Sequence, residues 1–408
     1  MKLRKSSQRE RGFTLVELMV AMLGGLFVSI AVFTLAKHAS GFSMRQSRIA
    51  DATLQNVVGF ERLKADIARA GYMSTPNLVG DDTVCRDAAD PLYPAWLARL
   101  ASVFIEPVPP GDVSTEASLN GISPQRIVLS GSYGSADQFV ARNITESAPV
   151  MVYLAPNTLG MANIGYPTNK TAATLARVFA AGRALRIVDD RGNMQFGTID
   201  SVQGGDNPAI QLRAGPALQF RGSSPRSCGI HGHGKNIVNV VNIVRYDIRS
   251  LAGLTRFQHM FSDQPSYEAT RRELVREELD VDGAPIDGTL ELIAEYAVDL
   301  GFSLLVAPGD TDPLARLAGA DVSRYAGNPV GMLAGNGPQL IRAVHAWLSV
   351  RSQEADRTAD LSIATSAPGP NLLRISVHPT DGTQGPFARM RTLQSTIPLS
   401  NQAKATWR

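Results

Sequence analysis

The chain has 408 residues, of which 44% are hydrophobic and 19% are charged. This balance excludes an intrinsically disordered protein, and the length allows one large hydrophobic core or two smaller ones. Residues 1–12 carry five Lys or Arg side chains and one Glu, which gives this segment a net charge of +4. The whole chain has a net charge of +3, so the remaining residues have a net charge of −1. The charge of the remaining surface therefore gives no argument for direct nucleic-acid binding.

An uncharged apolar segment follows this basic leader. Residues 18–36 contain neither a charged side chain nor a proline, and Lys37 ends the segment. Counted from Phe13, a helix of about 24 residues is ~36 Å long, enough to cross a ~30 Å hydrocarbon layer. The excess of basic residues before it predicts a cytoplasmic leader and places the rest of the chain across the membrane. A secretory signal differs, because its apolar segment precedes the cleavage site and is removed.

Residues 12–17 read Gly-Phe-Thr-Leu-Val-Glu, which puts one carboxylate near the start of the apolar segment. Together with the basic leader, this pattern resembles the class III signal of type IV pilins and pseudopilins. The resemblance implies that prepilin peptidase cleaves after Gly12 and methylates the new amino terminus, Phe13. It also implies that Glu17 pairs with the amino terminus of a neighbouring subunit during assembly. The alternative is a single-pass anchor in which Glu17 is accidental.

The helical pattern continues beyond the membrane segment, through residues 37–72. Its apolar stripe consists of Ile49, Leu54, Val57, Val58, Leu63 and Ile67. We therefore expect an amphipathic second half that packs one face on a folded domain. Gly71 is a typical stop signal, which gives a helix ~90 Å long when counted from Phe13.

The remaining residues, 73–408, form the expected periplasmic globular domain and predict mostly β-strands. The predicted strands are residues 126–130, 150–154, 184–188, 236–248, 341–350, 372–377 and 393–399. Thr255–Met260 is expected as the hairpin partner of residues 236–248, and residues 290–306 as a segment with a helical start and a strand-like end. One long helix followed by strands predicts an α+β fold with an antiparallel sheet. Residues 80–235, rich in Gly and Pro, are expected as a large insertion.

Later segments resemble the PilW family of minor pilins, in that family's order. They are residues 66–72, 244–246 with 254–256, 291–300, 341–352 and 391–401. The resemblance implies a pilin-like fold, in which the long N-terminal helix packs on an antiparallel sheet. It also implies an inner-membrane protein that joins the tip of a type IV pilus, primes its assembly and supports motility and adhesion. The implied partners are prepilin peptidase, other minor pilins, the major pilin and a PilY-type tip adhesin.

Two rival interpretations remain open. A minor pseudopilin of a type II secretion system would share the helix and much of the strand pattern, although such subunits are generally shorter. A membrane-anchored periplasmic enzyme is the other rival. The sequence lacks the His-Glu-x-x-His, Gly-x-Ser-x-Gly and phosphate-loop motifs. The prediction is therefore a protein without catalytic residues and without a cofactor.

Cys85 and Cys228 are the two cysteines of the chain, and both lie beyond the membrane segment. An oxidising periplasm favours a disulfide between them. His231 and His233 follow Cys228 closely and suggest a metal site as the alternative, but the sequence offers no second ligand cluster. The prediction is a Cys85–Cys228 disulfide and no metal.

Overall fold

The computed structural model of the protein describes residues 14–78, 81–85, 100–109, 112–113, 117–118, 120–221, 229–261, 271–307, 313–326, 337–353, 374–377 and 387–402. A long helix, α1 (Leu15–Arg69), comes first. Antiparallel strands dominate the described residues beyond this helix. The chain divides into two compact units, Met1–Asp51 and Ala52–Arg408, and α1 contributes residues to both.

The strands within the described ranges are β1 (Val103–Pro107), β2 (Gln125–Gly131), β3 (Phe139–Ile144), β4 (Met151–Leu154), β5 (Ala184–Val188), β6 (Met194–Gln203), β7 (Ala209–Leu212), β8 (His233–Arg249), β9 (Glu273–Leu279), β10 (Glu291–Ala294), β11 (Ala297–Val306), β12 (Ala315–Leu317), β13 (Ile341–Arg351), β14 (Arg374–Ser376) and β15 (Phe387–Pro398). Short α-helices are α2 (Leu159–Asn163), α3 (Ala172–Ala176) and α4 (Val322–Ala326).

α1 ends where the sequence predicted, just before a glycine with a left-handed backbone. Gly71 has φ = +76°, a conformation that glycine adopts without strain. Its N–H donates to the carbonyl of Ser130 (2.8 Å), and the side-chain amide of Asn401 donates to the carbonyl of Ala70 (3.2 Å). Partners that are distant in the sequence thus satisfy backbone groups at the end of the helix.

The last turns of α1 bury a face that only partly matches the predicted stripe. Phe60, Leu63 and Ile67 are at most 4% exposed, whereas Leu54 and Val58 are 65% and 62% exposed. The prediction was wrong for these two residues and for Val57, which is 40% exposed. Successive helical residues turn by about 100°, so positions 54 and 58 fall on the side opposite Phe60 and Leu63 and position 57 lies at the border.

A buried ion pair joins α1 to the sheet behind it. The Asp66 carboxylate accepts hydrogen bonds from the Arg276 guanidinium on β9 (2.7 Å) and from the Tyr246 hydroxyl on β8 (2.8 Å). All three side chains are buried. Burial, reinforced by the negative charge of Asp66, raises the pKa of Tyr246, so its hydroxyl stays protonated and donates. Removing either charged partner would leave an uncompensated charge in the core.

Six strands close into an antiparallel barrel. Their order is β8, β3, β4, β7, β6 and β5, and β5 pairs again with β8. The closing register places Ala184 opposite Val241. Apolar side chains fill the barrel, where the rings of Phe139 and Phe179 meet edge to face with centroids 4.8 Å apart. A small barrel of this kind is a packed core.

The longest of these strands, β8, also belongs to a second sheet. Its first part pairs with β3 and β5, and from Asn242 onwards it pairs with β2 on one side and β9 on the other. The buried Asn242 side chain accepts from the N–H groups of Tyr133 and Gly134 (3.0 Å each) and donates to Glu278 (3.1 Å). One side chain thus ties the β2–β3 connection to β9 at the point where β8 leaves the barrel.

The last strands form a half-barrel in the order β12, β11, β13, β15 and β14. One face of it shares a hydrophobic core with the sheet of β1, β2, β8 and β9. Leu63 of α1, Val244 of the sheet and Phe302 of the half-barrel all belong to this core. The last turns of α1 are therefore packed between two sheets.

The predicted fold class, a pilin-like helix packed on one antiparallel sheet, is wrong. The protein is mostly β, with a closed six-stranded barrel and a half-barrel in addition to the N-terminal helix. Apolar runs predicted strands such as β2, β5 and β8, but missed the barrel strands β3, β6 and β7. They also gave no strand partners, because barrel closure depends on pairs as distant in sequence as Ala184 and Val241. Residues 80–235, expected as an insertion, contain the barrel strands β3 to β7.

Two local predictions were also wrong. Thr255–Met260, expected as the hairpin partner of β8, is a 3₁₀ helix, because β9 occupies the edge of β8 that the hairpin would need. Residues 290–306 do not begin as a helix, since β10 and β11 meet at a turn where Tyr296 has φ = +54°. The guanidinium carbons of Arg271 and Arg351 lie 4.2 and 4.9 Å from the centre of the Tyr296 ring. This cation–π stacking stabilises the turn.

We expect Asp66→Ala to destabilise the folded protein by about 3–5 kcal/mol, because Arg276 would stay buried without its main partner. Tyr246→Phe removes one hydrogen bond and should cost about 1 kcal/mol. The matched control is Glu61→Ala, which breaks an exposed pair with Lys64 on the same helix (2.8 Å) and should leave stability essentially unchanged. Chemical denaturation of the detergent-solubilised protein measures these differences. An Asp66→Ala variant as stable as the control would contradict this role of the ion pair.

Candidate functional site

The first turn and the apolar half of α1 form the candidate site. Thr14 precedes the helix, and Leu15 begins it. The N–H and the hydroxyl of Thr14 both donate to one carboxylate oxygen of Glu17, each at 3.0 Å. The N–H of Glu17 in turn donates to the Thr14 hydroxyl at 3.2 Å. These reciprocal bonds form a capping box, which satisfies donors that the first turn of a helix otherwise leaves unpaired.

Sequence reasoning missed this capping role of Thr14. Its signal was present as the pattern Thr-x-x-Glu at residues 14–17. The sequence predicted instead that Glu17 pairs with the Phe13 amine of a neighbouring subunit, and no such neighbour is part of this structure. Gly12 and Phe13, the predicted cleavage and methylation positions, lie outside the described residues, so their assignment stays a prediction.

The helix surface beyond Glu17 is apolar on all sides. Large hydrophobic side chains from Leu15 to Leu35 are each more than half exposed. The hydroxyl of Ser29 donates to the Gly25 carbonyl (2.7 Å) and that of Thr34 to the Ile30 carbonyl (2.9 Å), so these polar groups are satisfied within the helix. Length and composition make Leu15–Ser43 suitable for crossing a membrane, and no other helix in the described parts of the chain meets both criteria.

Glu17 and Lys37 are the formally charged residues of this span. A carboxylate in hydrocarbon is costly, at about 2.5–3.5 kcal/mol or more at the bilayer centre. The capping box gives Glu17 hydrogen bonds but no positive charge. The carboxylate therefore remains suited to bind a cation, such as an amino terminus brought to it by another helix.

Comparison with known families identifies the same region. Residues 7–23 match the prokaryotic N-terminal methylation motif, which is the class III prepilin signal. The match supports a type IV pilin-like protein, a pilin or pseudopilin that is a substrate of prepilin peptidase. The signal and the apolar helix are consistent with membrane anchoring. Membership of the PilW family is not confirmed. No curated protein and no solved structure matches the chain.

The structure places the described neighbours of the two cysteines beside one strand. Cys85 is buried, and its N–H donates to the carbonyl of the first residue of β6 (3.1 Å). The next residue of β6, Gln195, exchanges two hydrogen bonds with Gln219 (2.7 Å each). The N–H of Ile230 donates to the Gln219 carbonyl (3.0 Å). Cys228 precedes Ile230 by two positions but lies outside the described residues, so the disulfide stays a prediction.

Non-reducing peptide mapping of the protein isolated from membranes should recover a Cys85–Cys228 cross-linked peptide. Replacing both cysteines by serine should lower the free energy of unfolding by about 2–4 kcal/mol, because the bridge restricts the unfolded chain. Two thiols that alkylate without prior reduction would contradict the prediction.

The metal alternative gains no support from the structure. His231 and His233 are exposed. Within the described ranges, no group of three or more His, Cys, Asp or Glu side chains is arranged to hold a metal ion. The absence of a metal, a cofactor and a catalytic site remains a prediction.

Proposed function

We propose that this protein is a minor pilin, processed by prepilin peptidase and incorporated at the tip of a type IV pilus. Before assembly α1 anchors it in the inner membrane, with the second unit in the periplasm. The observation that carries the proposal is the prepilin signal in register with an apolar helix whose first turn holds Glu17. In this position the chain helps to prime pilus assembly, on which motility and adhesion depend.

The surface of α1 supports a role in helix packing as well as anchoring. Its apolar side chains surround the helix from Leu15 to Leu35. Farther along, Leu54 and Val58 remain exposed on the side turned away from the buried face. An anchor alone has no use for apolar residues beyond the membrane span, whereas a bundle of such helices buries them. Packing contacts in the bundle then replace those with lipid.

The size of the second unit favours a subunit present in few copies. A compact domain of this length has a radius of gyration of ~20 Å, and hence a diameter of about 50 Å. Helices in a bundle lie only about 8–10 Å apart. Neighbouring helices cannot all carry so wide a domain, unless they are staggered by tens of ångströms. A tip position, where little must pack above the domain, avoids this conflict.

The proposed partners are prepilin peptidase, other minor pilins, the major pilin and a PilY-type tip adhesin. Most of the segments that resemble PilW lie on strands of a fold different from the one they implied, whereas residues 66–72 lie at the end of α1. The helix therefore carries the proposal. A minor pseudopilin of type II secretion would carry the same signal. Cross-linking in intact cells, followed by identification of the attached subunits, distinguishes pilins from secretion pseudopilins as neighbours.

Processing is the first test. The intact mass of the membrane-extracted protein should correspond to a chain that begins at N-methylated Phe13. Gly12→Leu should leave the leader attached, because a side chain at this position obstructs the peptidase. Val16→Ala, four residues beyond the cleavage site, is the control and should be processed normally. A mature protein that begins at Met1 would contradict the proposal.

The charge of Glu17 is the second test. Glu17→Gln preserves the capping box, since glutamine accepts the same hydrogen bonds, but it removes the negative charge. We expect Glu17→Gln and Glu17→Ala to be processed and anchored normally. Their amount in sheared pili should fall at least about tenfold, the factor that corresponds to ~1.4 kcal/mol of lost pairing free energy.

The comparison of the two variants separates charge from capping. Normal incorporation of Glu17→Gln together with loss of Glu17→Ala would assign the effect to the helix cap. Normal incorporation of both would mean that Glu17 does not guide assembly. Immunoblots of the membrane and pilus fractions, with Val16→Ala as the control, provide the measurement.

A further inference from the structure

The face of the half-barrel opposite the α1 core carries an ordered grid of side chains. Three adjacent strands, β11, β13 and β15, align their residues in rows. The rows are Leu305–Ala343–Pro398, Ser303–His345–Thr396, Gly301–Trp347–Gln394 and Asp299–Ser349–Thr392. Alternate residues of the same strands, such as Phe302 and Val344, enter the α1 core. The grid therefore lies on the other face of the sheet.

Trp347 lies at the centre of this grid, with its indole over Gly301. A Cβ atom at Gly301 would collide with Cζ2 of Trp347, so only glycine leaves room for the ring. The indole N–H donates to the carboxylate of Asp299 (2.8 Å), which is 5% exposed. This hydrogen bond and the glycine fix the ring against the sheet, while Trp347 remains partly exposed. A preorganised ring of this kind is a suitable stacking platform.

Neutral polar groups lie around the indole, together with two charged residues. These are Asp299, which accepts from the indole N–H, and Arg316 of β12, which lies across from Leu305 at the edge of the grid. The His345 ring lies 6.3 Å from it, centre to centre, and His345 Nδ1 is 3.0 Å from the Thr396 hydroxyl. Burial and the nearby positive charge of Arg316 lower the pKa of His345, so the imidazole is neutral at pH 7. Gln394, across from Trp347, is exposed. The hydroxyl of Ser303 is buried and has no hydrogen-bond partner in the part of the chain that the structure describes.

From these contacts we infer that the grid around Trp347 binds a neutral carbohydrate. The CH-rich face of a pyranose ring stacks on an indole, and its hydroxyl groups require both donors and acceptors at the ring edge. The hydroxyl, amide and imidazole groups of Thr396, Gln394 and His345 provide both. Nucleic acid fits less well, because Arg316 of β12 is a single cation at the edge of the four rows, whereas the Asp299 carboxylate lies beside the indole and repels phosphates. This binding is separate from assembly, since every residue of the grid lies outside the first unit.

The test uses the full-length protein in detergent, titrated calorimetrically with chitohexaose, cellohexaose and maltohexaose. We expect at least one of them to bind with a dissociation constant of about 1 mM or tighter. Trp347→Ala should weaken this binding at least about tenfold, as expected for the loss of a stacked ring. Gln394→Ala, at an exposed position, should weaken it roughly threefold or more without changing the unfolding temperature.

Two further variants keep the outcome decisive even if Trp347→Ala is unstable. Trp347→Phe retains a ring and should bind with intermediate affinity. Gln203→Ala, an exposed glutamine at the end of β6, is the matched control for Gln394→Ala and should bind like the wild type. Absence of binding to all three sugars up to about 10 mM would overturn the inference. So would binding that Trp347 and Gln394 do not affect, or Trp347-dependent binding of oligothymidylate in place of the sugars.

Discussion

The hydrogen-bonding edges of β8 are the constraint on which the second unit depends. The first part of this strand closes the barrel, pairing with β3 up to Val238 and with β5 up to Val241. Its second part pairs with β2 from Asn242 and with β9 from Ile243. The change of partners requires polar groups to be satisfied at the junction, which is what the buried Asn242 side chain does. Side chains also alternate along the strand, so Val244 faces the α1 core and Ile243 a different one. The register of β8 thus determines the strand pairing of the barrel, the strand pairing of the second sheet and the side chains that face α1.

Local physical chemistry made the helix and about half of the strands predictable, while strands such as β6 and β9 were missed. Gly71 ends α1 because the required backbone conformation suits glycine, and the run at residues 184–188 coincides with β5. The pairing of β5 with β8 was not predictable, because strands pair through backbone groups and the sequence of one strand does not specify which strand lies beside it. The exposed Leu54 and Val58 show a related limit. An apolar residue on a helix predicts that its side chain is buried, but the burying surface can belong to another molecule as well as to the same chain.

The two proposed functional regions also differ in whether the sequence revealed them. The prepilin signal was visible in the sequence because a peptidase recognises a continuous stretch of chain, and residues 7–23 contain it. The grid around Trp347 was not visible, because its rows are assembled from three strands that the sequence separates. Gly301 illustrates the difference. In the sequence it is an isolated glycine within an apolar run. Its pairing with Trp347 in the structure explains the glycine, because a side chain there would collide with the indole.

The proposed pairing of Glu17 with a neighbouring amino terminus places opposing requirements on this carboxylate before and after assembly. In the separate chain its hydrogen bonds to Thr14 and the positive end of the helix dipole make the carboxylate less costly in the membrane. The same interactions lower the free energy gained when a positive charge later pairs with Glu17, because the carboxylate is already partly stabilised. In this proposal, assembly depends on the difference in free energy between the capped carboxylate and the paired carboxylate. The capping box determines the free energy of the unpaired carboxylate, which is the reference state for that difference.

The burial of α1 also determines the order in which this chain can fold. The side-chain amide of Asn56 donates to the carbonyl of Arg391 (3.0 Å), across a separation of 335 residues. The helix thus leaves the ribosome among the first segments, while a strand that covers it is among the last. Contacts so distant in sequence form slowly, and the incomplete sheets expose unpaired strand edges meanwhile. Chaperones that hold the chain until β15 is complete would shield those edges, and a truncation before β15 would remove the partner of Asn56 while leaving the contacts of α1 with β8 and β9.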